Sequence, residues 1–142
     1  MEDSLKLENQ LCFPLYACSK EVIKKYKPIL DKLDLTYTQY ITMMVLWEYG
    51  EINVKKLGDM LFLDSGTLTP LLKKLESKRY ITRNRDKSDE RNLLIAITDE
   101  GRKLKDKAKV VPLEIGKCIN LSAEESIELY KLLYKLLGKI GG

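Results

Sequence analysis

Residues 53–85 read NVKKLGDMLFLDSGTLTPLLKKLESKRYITRNR. Asn53 predicts a helix N-cap, because its side-chain oxygen can accept from free first-turn amides, and Val54, Leu57 and Met60 follow at helical spacing. FLDSG then turns the chain into a second helix, capped by Asp64 or Ser65, whose Leu68, Leu71, Leu72 and Leu75 share one face. The face left outside carries Thr67, Thr69, Pro70, Lys73 and Lys74, with Ser65 at its head. Two short helices around a tight turn, the second presenting small hydroxyls first and cations later, meet the needs of a helix-turn-helix DNA reader. Small side chains approach base edges while cations meet phosphate.

Working outward, YITRNR and NLLIAIT have strand lengths and flank the polar DKSDER, which predicts a hairpin wing. Arg83, Arg85, Lys87 and Arg91 are expected to gather at its tip. An isolated charge run reads as solvated surface; attached to a helix-turn-helix it reads as a phosphate-facing patch.

Upstream, Leu11, Leu15, Cys18, Val22 and Tyr26 recur at three- and four-residue steps, with Cys12, Tyr16, Ser19 and Ile23 on the adjacent face. Pro14 fits a first turn, where its missing N–H has no partner to lose. KPILDKLDLTYTQY breaks that helix and starts another, with Thr36 or Thr38 as N-cap, Tyr40, Ile41, Met44, Val45 and Trp47 as its apolar surface, and Gly50 at its end.

Downstream, TDEGRKLKDKAKVVPLEIGKC predicts a helix capped by Thr98 or Asp99 and interrupted at Pro112. Ser122 and Glu125 form a capping-box pair before a last helix whose apolar residues, Ile127 to Ile140, cover more than one stripe. Such a helix must be buried on several sides. A dimer interface with the N-terminal helix of a partner meets that requirement, and two-fold symmetry then sets two recognition helices about 34 Å apart on pseudo-palindromic double-stranded DNA. The fold expected is mainly α with a small β-hairpin wing, a single chain over 1–142 with a winged helix-turn-helix lobe at 36–98 and dimerisation helices at 1–35 and 99–142.

With 142 residues, 44% hydrophobic and 32% charged, the chain suits one globular soluble domain. It contains no run approaching the roughly 20 apolar residues of a membrane span. MEDSLKLENQ is polar and acidic, unlike a secretory signal, so the cytoplasm is the default compartment. Three cysteines at irregular spacing suit reduced thiols. The absence of histidine removes histidine-based triads and general bases and most catalytic zinc sites, and no cofactor or metal is expected. The net charge of +4 is mild, so its distribution carries the information.

LDSGTLTPLLKKLE followed by ITRNRDKSDERNLLIAITDEG resembles the winged helix-turn-helix of the MarR (multiple antibiotic resistance regulator) family. Together with LCFPLYACSKE and LDLTYTQY, it is similar to the organic hydroperoxide resistance regulators within that family, a likeness that covers most of the chain and weakens after about residue 105. The resemblance implies that Cys12 is a peroxide-sensing thiol and that Tyr26 and Tyr37 donate hydrogen bonds to its sulfur across the dimer. It implies that Asp89 braces Arg91, which enters a DNA minor groove, and it makes Cys118 a candidate resolving thiol. Pro14 departs from the ordinary apolar residue of relatives.

The residues themselves leave alternatives open. A thiol with its ordinary pKa of about 8.5 is a poor nucleophile, and donors that stabilise thiolate make it useful. Here those are a helix N-terminus and two phenols, which favours Cys12 over Cys18. Spacing alone reads Cys12 as a small buried hydrophobe, Cys18 belongs with the Leu11–Leu15–Val22 stripe, and Cys118 reads either way. The function expected is a dimeric repressor that leaves its operator when an organic hydroperoxide oxidises Cys12. The alternatives are a regulator switched by a small-molecule effector or a thiol-based global redox regulator. A Cys12 thiol peroxidase is disfavoured by the missing histidine and by the lack of an arginine near Cys12 in sequence, so no enzyme is expected.

Overall fold

The computed structural model describes residues 2–140, with side chains from 3 to 139. Met1, Gly141 and Gly142, at the outer ends of the expected 1–35 and 99–142 segments, and the side chain of Ile140 lie outside the described residues. Two short 3-10 turns lead into α1 (Cys12–Asp31), α2 (Tyr37–Tyr49), β1 (Glu51–Asn53), α3 (Val54–Leu61) and α4 (Ser65–Ser77). Next come β2 (Ile81–Arg85), β3 (Leu93–Ile97), α5 (Asp99–Ala108), α6 (Val111–Gly116) and α7 (Ala123–Ile140).

The caps follow the sequence closely. Thr36 caps α2 in a full capping box: its hydroxyl accepts from the Gln39 N–H at 3.3 Å and the Gln39 side chain accepts from the Thr36 N–H at 3.0 Å. Asn53 caps α3 by accepting from the Lys56 N–H at 2.7 Å, Asp64 caps α4 from the Thr67 N–H at 2.8 Å, and Thr98 caps α5 from the Gly101 N–H at 3.0 Å. The Ser122–Glu125 box is also formed. Gly50 closes α2 at φ 76°, and the chain interrupts between α5 and α6 with Pro112 in the first turn of α6.

In α4, Leu68, Leu71, Leu72 and Leu75 are all buried, each contributing about 2 kcal/mol from removed apolar surface. They pack in one core with Met43 and Leu46 of α2, Leu57 of α3 and Ile81 and Ile95 of the sheet. The wing is a three-stranded antiparallel sheet in the order β1-β3-β2, with Ile52 opposite Ile95 and Ile81 opposite Ile97. The sequence reading anticipated only its β2–β3 hairpin, because the three residues of β1 are too short to show an alternation.

In α3 Met60 is exposed and Gly58 takes an inner position: a Cβ there would stand 2.9 Å from the Leu63 carbonyl oxygen, so glycine lets the turn after α3 close onto the helix. Two expectations are corrected. α1 runs through Pro28 to Asp31, because the residues after the proline are anchored by Leu30, only 1% exposed. Cys18, with Leu11, Leu15 and Val22, is exposed in the single chain, and of the stripe read as packed only Tyr26 reaches the core.

α2 and α5 approach closely at Gly101. The Trp47 indole N–H donates to the Gly101 carbonyl at 2.8 Å, and a Cβ on Gly101 would collide with the Tyr80 carbonyl oxygen and sit 2.7 Å from Ile97 Cγ1. Gly101→Ala is expected to lower stability by about 1–3 kcal/mol through overpacking. Gly116→Ala, where an added Cβ meets nothing within 4 Å, should leave the melting temperature unchanged or raise it. Thermal melts followed by circular dichroism check both.

Candidate nucleic-acid interface and thiol region

The outer face of α4 presents Ser65, Thr67, Thr69, Pro70, Lys73 and Lys74, all exposed. Asp64 at the cap and the left-handed Phe62 (φ 56°) set the entry of this helix, while the Leu63 N–H donates to the Gly58 carbonyl at 3.0 Å to close α3. Pro70 has no N–H to give the carbonyl four residues back. It costs the helix one bond on the side that carries no leucine.

The wing tip is ordered by carboxylates. Asp86 accepts from the Ser88 N–H at 3.0 Å and the Ser88 hydroxyl at 2.8 Å, while its own N–H donates to the Asn92 carbonyl at 2.9 Å. The Ser88 backbone amide, followed by the Ser88 hydroxyl, holds the Asp86 carboxyl below the usual carboxylate range. Asp89 Oδ1 accepts from both the backbone N–H and Nε of Arg91 at 3.1 Å, with Nη2 3.4 Å from Oδ2. The Arg91 side chain is 92% exposed, where an ion pair contributes at most about 1 kcal/mol to stability. The bracket therefore matters for the direction of the guanidinium more than for folding.

Arg85, Lys87 and Arg91 are exposed at the tip as expected, and Arg83 is not among them. It lies mid-strand opposite Ile95, and its Nε and Nη2 reach Glu76 Oε1 of α4 at 3.1 and 2.9 Å. Arg83 thereby ties the wing to α4 through the partly buried Glu76 carboxylate.

Cys12 is the first residue of α1 and is exposed, and Leu11 before it supplies no side-chain cap, so the first-turn amides have no side-chain acceptor. Tyr26 and Tyr37 meet edge to face with centroids 4.8 Å apart. Tyr40 joins them at 6.0 and 6.4 Å, and Trp47 follows Tyr40 at 6.4 Å. The sequence reading placed Tyr40 and Trp47 only as apolar surface; their seven-residue spacing on one helix was the available signal. Burial raises all three phenols above the usual tyrosine value, helped by Tyr37 and Tyr40 at Tyr26, by Tyr134 at Tyr37, and by Tyr37 at Tyr40. They stay protonated, and so remain hydrogen-bond donors, across the neutral range.

Cys12 and Tyr26 sit on the same helix fourteen residues apart. At about 1.5 Å of rise per residue that is about 21 Å, so one chain does not bring the sulfur to the phenols. Cys118 follows α6, exposed, with its sulfur 3.6 Å from the Glu114 carbonyl oxygen. A cavity of about 350 Å³ opens beside the aromatic cluster, lined by Tyr40, Met44 and Trp47 of α2 and by Lys105 and Lys109 after them. Among the described residues no helix is long and apolar enough to cross a membrane.

Residues 24–108 match the transcriptional regulator SarA/Rot family. The organic hydroperoxide resistance transcriptional regulator of Bacillus subtilis is 51% identical over 135 residues, 95% of this chain and 92% of that one. The chain belongs to the MarR family, in its organic hydroperoxide resistance branch. The HTH-type transcriptional regulator SarZ of Staphylococcus aureus is 45% identical over 94% of this chain and 90% of that one. Among solved structures, reduced AbfR bound to DNA, from the regulator of Staphylococcus epidermidis, superposes with a TM-score of 0.79 at 33% identity over 99% of both chains. Overoxidised AbfR bound to DNA gives 0.74 and disulfide-formed AbfR gives 0.66. This MarR-family chain is a winged-helix, DNA-binding transcriptional regulator and not an enzyme.

The buried phenols give a measurable consequence. In an ultraviolet phenolate titration, Tyr26, Tyr37 and Tyr40 should ionise at higher pH in the folded protein than in the unfolded chain. Because their folded values lie above the unfolded value of about 10, the stability they lend is complete below that pH and is lost as pH rises through the folded values. Denaturant midpoints measured across alkaline pH should fall accordingly, and less in Tyr26→Phe.

Proposed function

We propose that this regulator is a cytoplasmic homodimeric repressor whose operator binding is released when an organic hydroperoxide oxidises Cys12. The single observation that carries the reading is the separation of the thiol from its expected partners: exposed Cys12 heads α1, while Tyr26, half-buried and paired edge to face with Tyr37 of α2, lies about 21 Å along the same helix. A second copy supplies them if α1 of one chain crosses the α1–α2 region of the other.

The exposed apolar surface supports such a crossing. Leu11 just before α1 and Phe13, Leu15, Tyr16, Val22 and Ile23 on it are open to solvent, and on α7 so are Ile127, Leu129, Tyr130, Leu132, Leu133, Tyr134 and Leu136. Contiguous apolar faces of this extent mark an interface. Residues 1–35 and 99–142 then form the dimerisation region, and 36–98 the DNA-binding lobe that reads a pseudo-palindromic site in double-stranded DNA.

In the chemical step, the Cys12 thiolate attacks the terminal oxygen of the hydroperoxide, the O–O bond breaks, and the alcohol leaves with a proton. Sulfur is oxidised by two electrons to sulfenic acid. The phenols of Tyr26 and Tyr37 orient the peroxide and receive the developing charge on oxygen by hydrogen bonding. The sulfenic acid then condenses with a thiol, releasing water; Cys118 of the partner is the protein thiol assigned to it. AbfR supports a sulfur-linked change of shape, because its disulfide-formed structure is less like this chain than its reduced, DNA-bound one.

On DNA, Thr67, Thr69 and Ser65 approach base edges, Lys73 meets phosphate and Pro70 sets the contour between them. Arg91, held by Asp89, enters the minor groove beside the wing, with Arg85 and Lys87 on the flanking backbone.

Reduced protein should bind its upstream DNA, lose it after stoichiometric cumene hydroperoxide and regain it with dithiothreitol, while Cys12→Ser binds throughout; fluorescence anisotropy at fixed salt reads all of these. DNA binding indifferent to peroxide would return Cys12 to packing and move the search to an effector in the cavity beside Trp47. Arg91→Ala should weaken operator binding and reduce the slope of log affinity against log salt by about one. Asp89→Ala should weaken it with the slope retained.

A further inference from the structure

α1 and α4 end on residues that take the left-handed conformation without being glycine, Asp34 at φ 54° and Arg79 at φ 68°. Both ends close by the same paired backbone bonds. The Asp34 and Leu35 N–H groups donate to the Asp31 and Leu30 carbonyls at 3.1 and 3.2 Å, and those of Arg79 and Tyr80 donate to the Glu76 and Leu75 carbonyls at 2.9 and 3.1 Å. Lys78 joins the two ends. Its ammonium donates to the Asp34 carbonyl oxygen, lies 3.5 Å from Asp34 Oδ2 and reaches Gln39 Oε1 at 3.4 Å.

Gln39 is 4% exposed and uses the same Oε1 to accept from the Thr36 N–H at the head of α2. One cation therefore links the C-terminal end of α1, the N-terminal end of α2 and the C-terminal end of α4. It also lies where the exposed carbonyls of α1 concentrate partial negative charge. The Lys78 side chain is 26% exposed, whereas Lys73 and Lys74 stand on the outer face of the same helix.

We propose that Lys78 is a positioning residue that fixes the tilt of the recognition helix against the α1–α2 corner and makes no contact with DNA itself. The leucine stripe seats α4 on the core through packing that is non-directional. Directional bonds at the far end of the helix fix its orientation, so the hydroxyls at its head arrive at base edges in one geometry. A rotation of α1 carries the Asp34 carbonyl with it, and Lys78 passes that motion to α4. The role rests on DNA binding alone and stands whether or not Cys12 is the switch.

The experiment uses the full chain, kept reduced, with two probes: the duplex that the wild type selects from a random-sequence pool, and a scrambled duplex of the same length. Affinities are read by anisotropy over a salt series for wild type, Lys78→Met, Lys78→Arg and Lys73→Ala. Lys78→Met should lose about tenfold on the selected duplex, the size of one mismatched base pair, with scrambled-duplex affinity and salt slope kept. Lys78→Arg should restore most of the loss, and Lys73→Ala should lower the slope. A lower slope in Lys78→Met would make it a phosphate contact. Equal loss on both duplexes would make it a general support of the fold, and no loss would leave it without a positioning role; each of these overturns the proposal. If Lys78→Met does not fold, Asp34→Gly, which suits the left-handed backbone and deletes only the carboxylate, must show a smaller loss confined to the selected duplex.

Discussion

The rest of the structure depends on the burial of α2 on nearly every side. Thr42, Met43 and Leu46 have no exposed surface, and the helix touches α1, α3, α4, α5, β1 and β3. A helix so apolar around its circumference has to be the rod that other elements surround. Its two buried polar side chains are satisfied locally, Thr42 by donating to the Thr38 carbonyl at 2.7 Å and Gln39 within the Thr36 cap. Among the described residues no buried side-chain nitrogen or oxygen lacks a partner. The DNA-reading half and the helices that follow it thus hang from one rigid element, and a change on one side reaches the other through close-packed contacts.

What was legible in the sequence was whatever a single residue type decides locally. Thr36, Asn53, Asp64, Thr98 and Ser122 each announce a helix start because a short polar side chain does one job there, satisfying amides that the helix leaves free. The leucine stripe of α4 was equally plain, since one periodicity has one burial. Helix ends were harder. Asp34, Phe62 and Arg79 all take a conformation usually marked by glycine or asparagine, so the stops of α1, α3 and α4 carry no local signature and exist because tertiary packing holds them. β1 was invisible for a related reason: Glu51–Asn53 is a strand only because β3, more than forty residues later, pairs with it.

The two arginines of the wing show how the same residue type divides between a strut and an exposed, oriented cation. Arg83 and Arg91 look alike in sequence, each in a polar context near the hairpin. Arg83 meets a carboxylate from a different element and becomes a strut between β2 and α4. Arg91 meets one two residues away, and a bond that short in sequence restrains the guanidinium without withdrawing it from solvent. A cation held in this way loses less side-chain freedom when it meets an anion. The partner's distance along the chain separated the roles, and composition alone carried no trace of it.

The placement of the thiol follows a similar logic. Leu30 is the one fully buried residue of α1, at the opposite end from Cys12. The two stand eighteen positions apart, about 27 Å of helix at 1.5 Å per residue, with an apolar face open in the single chain. Such a helix is a lever fixed at one end. In the switch proposed above, a bond made at the Cys12 sulfur would act at full arm length about that anchor. The anchor is followed directly by Leu33, Asp34 and Leu35, the corner that Lys78 grips from the recognition helix. The pivot of α1, at the far end from Cys12, is therefore the part of that helix that Lys78 ties to the end of α4.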